Sequence, residues 1–313
     1  MSDFLPLNTI VIPVYNGGDL LKEAIYSALN QTYPNIEILV VNDGSTDEST
    51  QEILDYFGDM IRVIHKNNGG TGSALNTGFK GAQGEFIHWL SHDDVFLPGK
   101  VAADMHLILE SNEPSNSIAL SGWHFMDFNR KILSTRDISS EISPRLLNNP
   151  YWLILLSMAN GCTICIPKAL FMKIGKFRED LRTTQDYDYW LRLFPSSKIL
   201  VSQEIHVANR IHSGQGSNLI KEHNSEADEL FLRVINAAFN NKTSPLGVPN
   251  INALCRVRDH LAESNYVKAK KYIEKLIESE KSLAHEVAWH SKDKKTKEKF
   301  YETIRKENFG VLL

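Results

Sequence analysis

Thr9-Ile10-Val11-Ile12-Pro13-Val14-Tyr15-Asn16 is the stretch from which the fold reads. The run from Thr9 to Val14 is short, apolar and rich in β-branched residues, which predicts a buried strand. Tyr15-Asn16-Gly17-Gly18 closes it as a turn cluster. Behind the turn, Leu20, Leu21, Ala24, Ile25, Ala28 and Leu29 fall at helical spacing and predict an amphipathic helix. Pro34-Asn35 breaks that helix. The alternation then continues. Ile36 to Val41 predicts a second buried strand, Asn42 to Asp47 a loop, and the following stretch a helix to about Phe57, with Ser45 or Asp47 as its cap. Ile61 to His65 predicts a third strand. Gly69-Gly70-Thr71-Gly72 opens a helix through about Lys80, and Phe86 to Leu90 predicts a fourth strand ending in Ser91-His92-Asp93-Asp94. Strands separated by helices of this length imply a largely parallel sheet with helices on both faces. In such sheets ligands sit outside the carboxyl ends of the strands. Those ends carry Tyr15-Asn16, Asp43 and Asp93-Asp94, three polar clusters on one edge.

Outward from this unit the pattern changes. About Ile118 to Ser217 mixes short strands and helices, with Asp186 to Phe194 helical. From about 219 onward, alternating charge and helical periodicity run through Arg305, broken at Ser244-Pro245-Leu246-Gly247-Val248-Pro249. We expect residues 1–218 to form an α/β domain with two halves, about 1–100 and about 101–218. Residues 219–313 are expected to form a helical extension. The 313 residues carry 34 basic and 38 acidic side chains, net -4. That balance argues against a nucleic-acid partner held through backbone phosphates. Three cysteines, Cys162, Cys165 and Cys255, are too few for a disulfide framework. Residues 1–9 lack the basic start of a signal peptide, and the longest apolar run, Trp152 to Ala159, is far short of a membrane span. The expected location is cytoplasmic, with peripheral contact at the inner face of a membrane left open.

Four clusters can carry chemistry, and each has a plainer reading beside it. Asp93-Asp94 at a strand end can ligate a hard divalent cation or form a solvated turn. Asp43 can accept from a base or a ribose, or serve a turn. Asn67-Asn68-Gly69-Gly70-Thr71-Gly72 can bring backbone amides to phosphate, or simply connect strand to helix. It is neither a Walker loop nor a dinucleotide fingerprint, because no Gly-Lys-Ser/Thr follows and Leu75 takes the last glycine position. Thr184-Gln185-Asp186-Tyr187-Asp188-Tyr189-Trp190 sets a carboxylate at a helix start, as a general base or as a cap. Trp123, Trp152 and Trp190 are candidates to line a sugar site, with the core as the alternative and the favoured reading for Trp190. Cys162-Thr163-Ile164-Cys165 has redox-motif spacing, but its apolar neighbours and the lack of a second pair argue against zinc or disulfide exchange.

In their order and spacing these pieces resemble family 2 glycosyltransferases of the GT-A fold. The matching residues are Ile10 to Asn16, Val41 to Asp47, Leu75-Asn76-Thr77-Gly78 with Gly84 to Ile87, and Leu90 to Asp94 with Pro98. They continue with Ile174-Gly175-Lys176-Phe177, Gln185 to Asp188 with Trp190-Leu191-Arg192, and Arg210-Ile211-His212 with Gln215 and Ser217. The resemblance covers about residues 8–218. It implies a Rossmann-like α/β sheet, with a nucleotide-binding half over about 1–100 and an acceptor half over about 101–218, and an inverting transfer of a sugar from a nucleotide-diphosphate donor, a UDP-sugar first of all. The expected acceptor is a hydroxyl of a glycan, or of a lipid-linked or protein-linked saccharide. Pro13, Val14, Tyr15, Asn16, Asp43, Asn68, Ser91 and His92 are the implied nucleotide contacts. Asp93, Asp94 and His212 are the implied holders of Mn²⁺ or Mg²⁺, and Asp186 is the implied base. The segment at Gly161-Cys162 is implied near the donor sugar or the acceptor. Three positions depart from the family pattern: Ser91 replaces the first acid of its Asp-x-Asp, Leu75 replaces an arginine, and Gln185 replaces the glutamate of its Glu-Asp. The alternatives are a sugar-phosphate nucleotidyltransferase and a non-catalytic nucleotide-sugar binder. Pro13-Val14-Tyr15-Asn16 stands where the former would carry a basic glycine-rich loop. Lys292, Lys294, Lys295, Lys297 and Lys299, followed by Phe300-Tyr301, are a candidate lipid-facing or oligomer-forming cluster in the tail.

Overall fold

The structure, a computed structural model, describes residues 5–142, 144–215, 220, 222–240, 251–262 and 266–290. It divides into two compact units, 1–226 and 227–313.

The first unit is built on β1 (Asn8–Val14), all seven of whose residues are buried. A strand buried on both faces needs a continuous apolar run, and Ile10, Val11, Ile12 and Val14 supply it. Next along the chain come α1 (Gly18–Leu29), β2 (Ile36–Asn42), α2 (Glu48–Phe57), β3 (Arg62–His65), α3 (Thr71–Gly81) and β4 (Phe86–Trp89). β2 and β4 both pair parallel with β1, and β3 pairs parallel with β2. The expected sheet half is therefore present, and Asp47 rather than Ser45 caps α2, accepting from Thr50 N.

The next elements are β5 (Val95–Phe96), α4 (Lys100–Leu109), β6 (Ser117–Leu120), β7 (Trp123–Met126), β8 (Ile132–Arg136), α5 (Pro144–Leu147) and α6 (Tyr151–Leu155). After them stand β9 (Ile164–Pro167), α7 (Lys168–Ile174), α8 (Gln185–Leu193), β10 (Lys198–Val201) and β11 (Val207–Arg210). The main sheet has the order β10-β6-β9-β4-β1-β2-β3, with β9 antiparallel to both neighbours. A second sheet, β5-β11-β7-β8, rises from the segment after β4. The chain winds from β1 toward β3 on one side and returns as β4 on the other. The crevice between the carboxyl ends of β1 and β4 is thus a topological switch point, the place where such sheets take ligands.

Trp123, Trp152 and Trp190 are core residues, at most 6% exposed. None of them lines the cleft described below. Cys162 and Cys165 are buried, and burial pushes both thiols well up, which makes them poor nucleophiles.

In the second unit α9 (His223–Asn240, from Ala227 on), α10 (Ile251–Ala262) and α11 (Val267–His290) are helical, as periodicity predicts. Leu230, Val234, Val257, Leu261, Ile273 and Ile277 are buried, one apolar stripe per helix. The Asp228 carboxylate accepts from Lys268 N (2.9 Å) and Ala269 N (2.7 Å) and so caps the start of α11. The breaker at 244–249 and the lysine cluster at 292–299 lie outside the described residues. Among the described residues no helix is long and apolar enough to cross a membrane.

Candidate active site

A cleft of about 730 Å³ opens at the switch point. Its lining includes Pro13, Val14, Tyr15, Asp43, Asn68, Ser91, His92, Asp93, Asp94 and Asp186, so ten of the expected residues meet there. Asn16 and His212 do not line it.

The β1 and β2 ends form one wall. Tyr15 is half exposed at the rim, as a platform for a planar base requires. Asn16 has a different task from the one expected. Its Oδ1 accepts from Thr46 N (2.8 Å) and its own N–H donates to Ser45 Oγ (3.0 Å), which ties the loop after β1 to the loop after β2. Asp43 is nearly buried, and both its oxygens have protein donors. Lys66 Nζ stands at 2.5 Å, Gly70 N at 2.8 Å and Gly69 N at 3.1 Å. The carboxylate thereby organises the 66–70 loop that brings Asn68 to the cleft. Gly44 lets the two loops touch: its φ is +74°, and a Cβ there would lie 2.7 Å from Asn68 N.

The end of β4 forms the second wall. Asp93 and His212 meet, with the Nε2 of His212 2.9 Å from the Asp93 carboxylate. A hard carboxylate oxygen beside an imidazole nitrogen, both partly exposed, is a donor set that suits Mn²⁺, and Mg²⁺ through the oxygen. The residues at this end fit a divalent cation. Asp94 corrects the expected ligand set. It accepts from Arg210 N (2.8 Å), Asn209 Nδ2 (2.6 Å) and Cys162 Sγ (3.4 Å), so both oxygens are committed inside the protein. Burial and the neighbouring Asp93 push its carboxyl up to about 7, against the pull of these donors. Asp94 is a strut, and Asp93 is the carboxylate of the pair that stays partly exposed at the cleft. Ser91, at the family's first-acid position, has its N–H at 3.3 Å and its Oγ at 3.4 Å from Cys162 Sγ. Burial pushes the His92 imidazole down and so favours its neutral form.

Arg210 holds this wall and is fully buried. It donates to the carbonyls of Asp93 (3.0 Å), Asp127 (3.2 Å) and Phe128 (2.9 Å), and to Glu23 Oε2 (2.6 Å). Every face of the guanidinium is therefore committed.

The third wall is the start of α8. Asp186 lies in the helix's first turn and accepts from Tyr187 N (2.9 Å). Burial raises its carboxyl to about 6. A carboxylate with so few donors and a raised pKa is better placed to accept a proton than a fully bonded one. Asp188 points elsewhere, as expected. It is 1% exposed and paired with Arg192 at 3.2 Å. The segment before α8 is clamped by Glu226, whose carboxylate accepts from Arg182 N, Thr183 N, Thr183 Oγ1 and Thr184 Oγ1 at 2.9 to 3.3 Å.

The floor was not legible in the sequence motifs. Trp89, Phe125, Asn160 and Asn209 line it, beside the expected segment Gly161-Cys162. A Cβ at Gly161 would lie 2.2 Å from the Trp89 ring, so glycine is what allows the indole to reach the cleft. The position of Trp89 at the carboxyl end of a strand was the available signal. A separate cluster, His88, Asp104 and Cys165, brings ligand atoms within 4.8 Å of one another. Lys100 Nζ stands 2.5 Å from Asp104, so a cation already occupies the carboxylate. This cluster does not fit a metal.

Comparison with known proteins agrees with this geometry. The model of the family "Glycosyl transferase family 2" matches residues 9–175. The uncharacterized glycosyltransferase RP339 of Rickettsia prowazekii is 42% identical over 228 residues, 73% of this chain and 71% of its own length. Three other rickettsial relatives, also 42% identical, are longer, and the chain spans 34%, 38% and 37% of their lengths. Among solved structures, S. aureus TarS 1-349 in complex with UDP-GlcNAc matches with a TM-score of 0.62 at 18% identity, covering 82% of this chain and 73% of that one. The mannosyltransferase PcManGT of Pyrobaculum calidifontis, in complex with GDP-Man and Mn²⁺, matches with a TM-score of 0.56 at 14% identity, covering 99% and 82%. At these identities the structures establish a shared fold.

Proposed function

We propose that this chain, which belongs to glycosyl transferase family 2, moves a sugar from a nucleotide-diphosphate donor to an acceptor hydroxyl by one inverting displacement. The observation that carries this reading is the meeting of Asp93 and Asp186 in one cleft at the switch point of the sheet. One carboxylate is suited to the diphosphate end and the other, with its raised pKa, to proton transfer.

The nucleotide lies along Pro13, Val14 and Tyr15, with Asn68 and His92 beside it. Asp43 reaches the base once the donors from the 66–70 loop yield to it. Asp93, with His212 alongside, would hold a divalent cation, which when bound would offset the diphosphate's charge and orient the leaving group. The acceptor oxygen attacks the anomeric carbon as the bond to the diphosphate breaks. The bonding pair leaves on the diphosphate, and the acceptor's proton passes to Asp186. Trp89 offers an apolar face to the sugar.

A UDP-sugar is the donor we favour, and the fold neighbours carry UDP-GlcNAc and GDP-Man. A panel of UDP- and GDP-sugars tests the reading by thermal stabilisation with Mn²⁺, with Mg²⁺ and with EDTA. A ligand that binds the folded state raises its melting temperature by mass action. One nucleotide sugar should stabilise the chain in a metal-dependent way and be turned over to a nucleoside diphosphate. Release of inorganic diphosphate would instead indicate a nucleotidyltransferase. No stabilisation by any member would remove the donor site.

A further inference from the structure

We propose that the acceptor carries an anionic group, a carboxylate or a phosphate, and that Arg182 is the residue that reads it. The inference deepens the transferase reading and rests on Asp186 marking the acceptor side of the cleft. The described cleft is lined by four aspartates and by two arginines, Arg182 and Arg210. Arg210 is fully committed to Glu23 and three carbonyls. Arg182 is exposed, and among the described residues no carboxylate pairs with its guanidinium. It is the uncommitted cation of the site.

The backbone of Arg182 is nonetheless held. Glu226 accepts from Arg182 N, and from Thr183 and Thr184 behind it, so the segment that leads into α8 keeps a fixed course. A free cation on a held segment is pre-organised for an anion, because less freedom is lost when the ion pair forms. Arg182 precedes the base by four residues and belongs to the same wall. In an inverting displacement the base and the acceptor stand opposite the leaving diphosphate. The charge that Arg182 meets is therefore the acceptor's, while the diphosphate belongs to the Asp93 wall. The planar fork of arginine suits a carboxylate or a phosphate through two parallel hydrogen bonds.

The test uses the full chain with UDP present and two probe pairs, glucuronic acid against its methyl ester and glucose 6-phosphate against glucose. Affinities are read by titration NMR in wild type, Arg182→Gln and Arg182→Lys. Wild type should prefer the charged member of at least one pair by tenfold or more, and the preferred pair identifies the anion. Arg182→Gln should abolish that preference and leave UDP affinity unchanged, and Arg182→Lys should keep part of it. Equal affinity for charged and neutral probes in wild type would overturn the proposal. So would a tenfold loss of UDP affinity in Arg182→Gln, because the guanidinium would then serve the diphosphate. The base assignment fails separately: undiminished turnover in Asp186→Asn would sink it without touching the charge preference.

Discussion

Asp94 is buried and Asp186 half-buried, and the two carboxyls differ in their hydrogen-bond donors. Asp94 accepts from three protein donors, whereas the hydrogen bond to Asp186 comes from the adjacent backbone. A group meant to take a proton has to stay free of donors that hold it ionised. Asp186→Asn keeps the size but cannot accept the proton, so turnover should fall by roughly 10²–10⁴ while UDP-sugar affinity holds. Steady-state rates beside a binding titration check this. With a carboxyl raised to about 6, turnover should also fall as pH drops through about 6, because the protonated acid is no base. The same shift has a stability consequence. The folded chain binds this proton more tightly than the unfolded chain does, so stability is lost as pH rises from the ordinary carboxylate range through about 6. Asp186→Asn should therefore melt higher than wild type at pH 8, and the difference should vanish near pH 4. Thermal melts at the two pH values measure it.

At the scale of elements, the second sheet decides the Asp93 wall. β11 delivers Asn209 and Arg210 to Asp94, and Arg210 reaches the Asp93 carbonyl, the β7–β8 turn and Glu23 on α1. Arg210→Met would leave the carbonyls of Asp93, Asp127 and Phe128 without this donor and Glu23 with Arg130 alone. The expected cost is about 1–3 kcal/mol, the scale of leaving partly buried acceptors without their donor. A denaturant titration should show it, and a loss under 1 kcal/mol would contradict the strut role. This wall also marks the limit of what could be read from sequence. β1, β2 and β4 were legible because strands buried on both faces need apolar runs, and β3, a half-buried edge strand, from its β-branched Val63-Ile64. β5 is only two residues long, and β11 carries two polar residues, Asn209 and Arg210, in its four, so neither presents an apolar run. Asp93 was legible as a carboxylate at a strand end. The separation of Asp93 from Asp94 was not, because it depends on which way each side chain turns among residues more than a hundred positions away. Asn16 was misread for the same reason: its partners, Ser45 and Thr46, come from the next loop.

Over the whole molecule, the cleft and its three walls belong to the unit spanning 1–226. Glu226 closes that unit by clamping the approach to α8, so the donor chemistry should survive loss of everything beyond α9. A chain ending at Asn240 keeps the clamp and should hydrolyse its nucleotide sugar within a few-fold of the full chain. A drop of more than tenfold in that assay would assign the later helices a part in the site. The central claim is a single displacement across the cleft between the Asp93 and Asp186 walls, and the anomeric configuration of the product tests it most directly. With an α-linked UDP-sugar that stabilises the chain and water as the acceptor, proton NMR can follow the released sugar before it mutarotates. The account predicts the β-anomer as the first product, and an α-anomer formed first would contradict it.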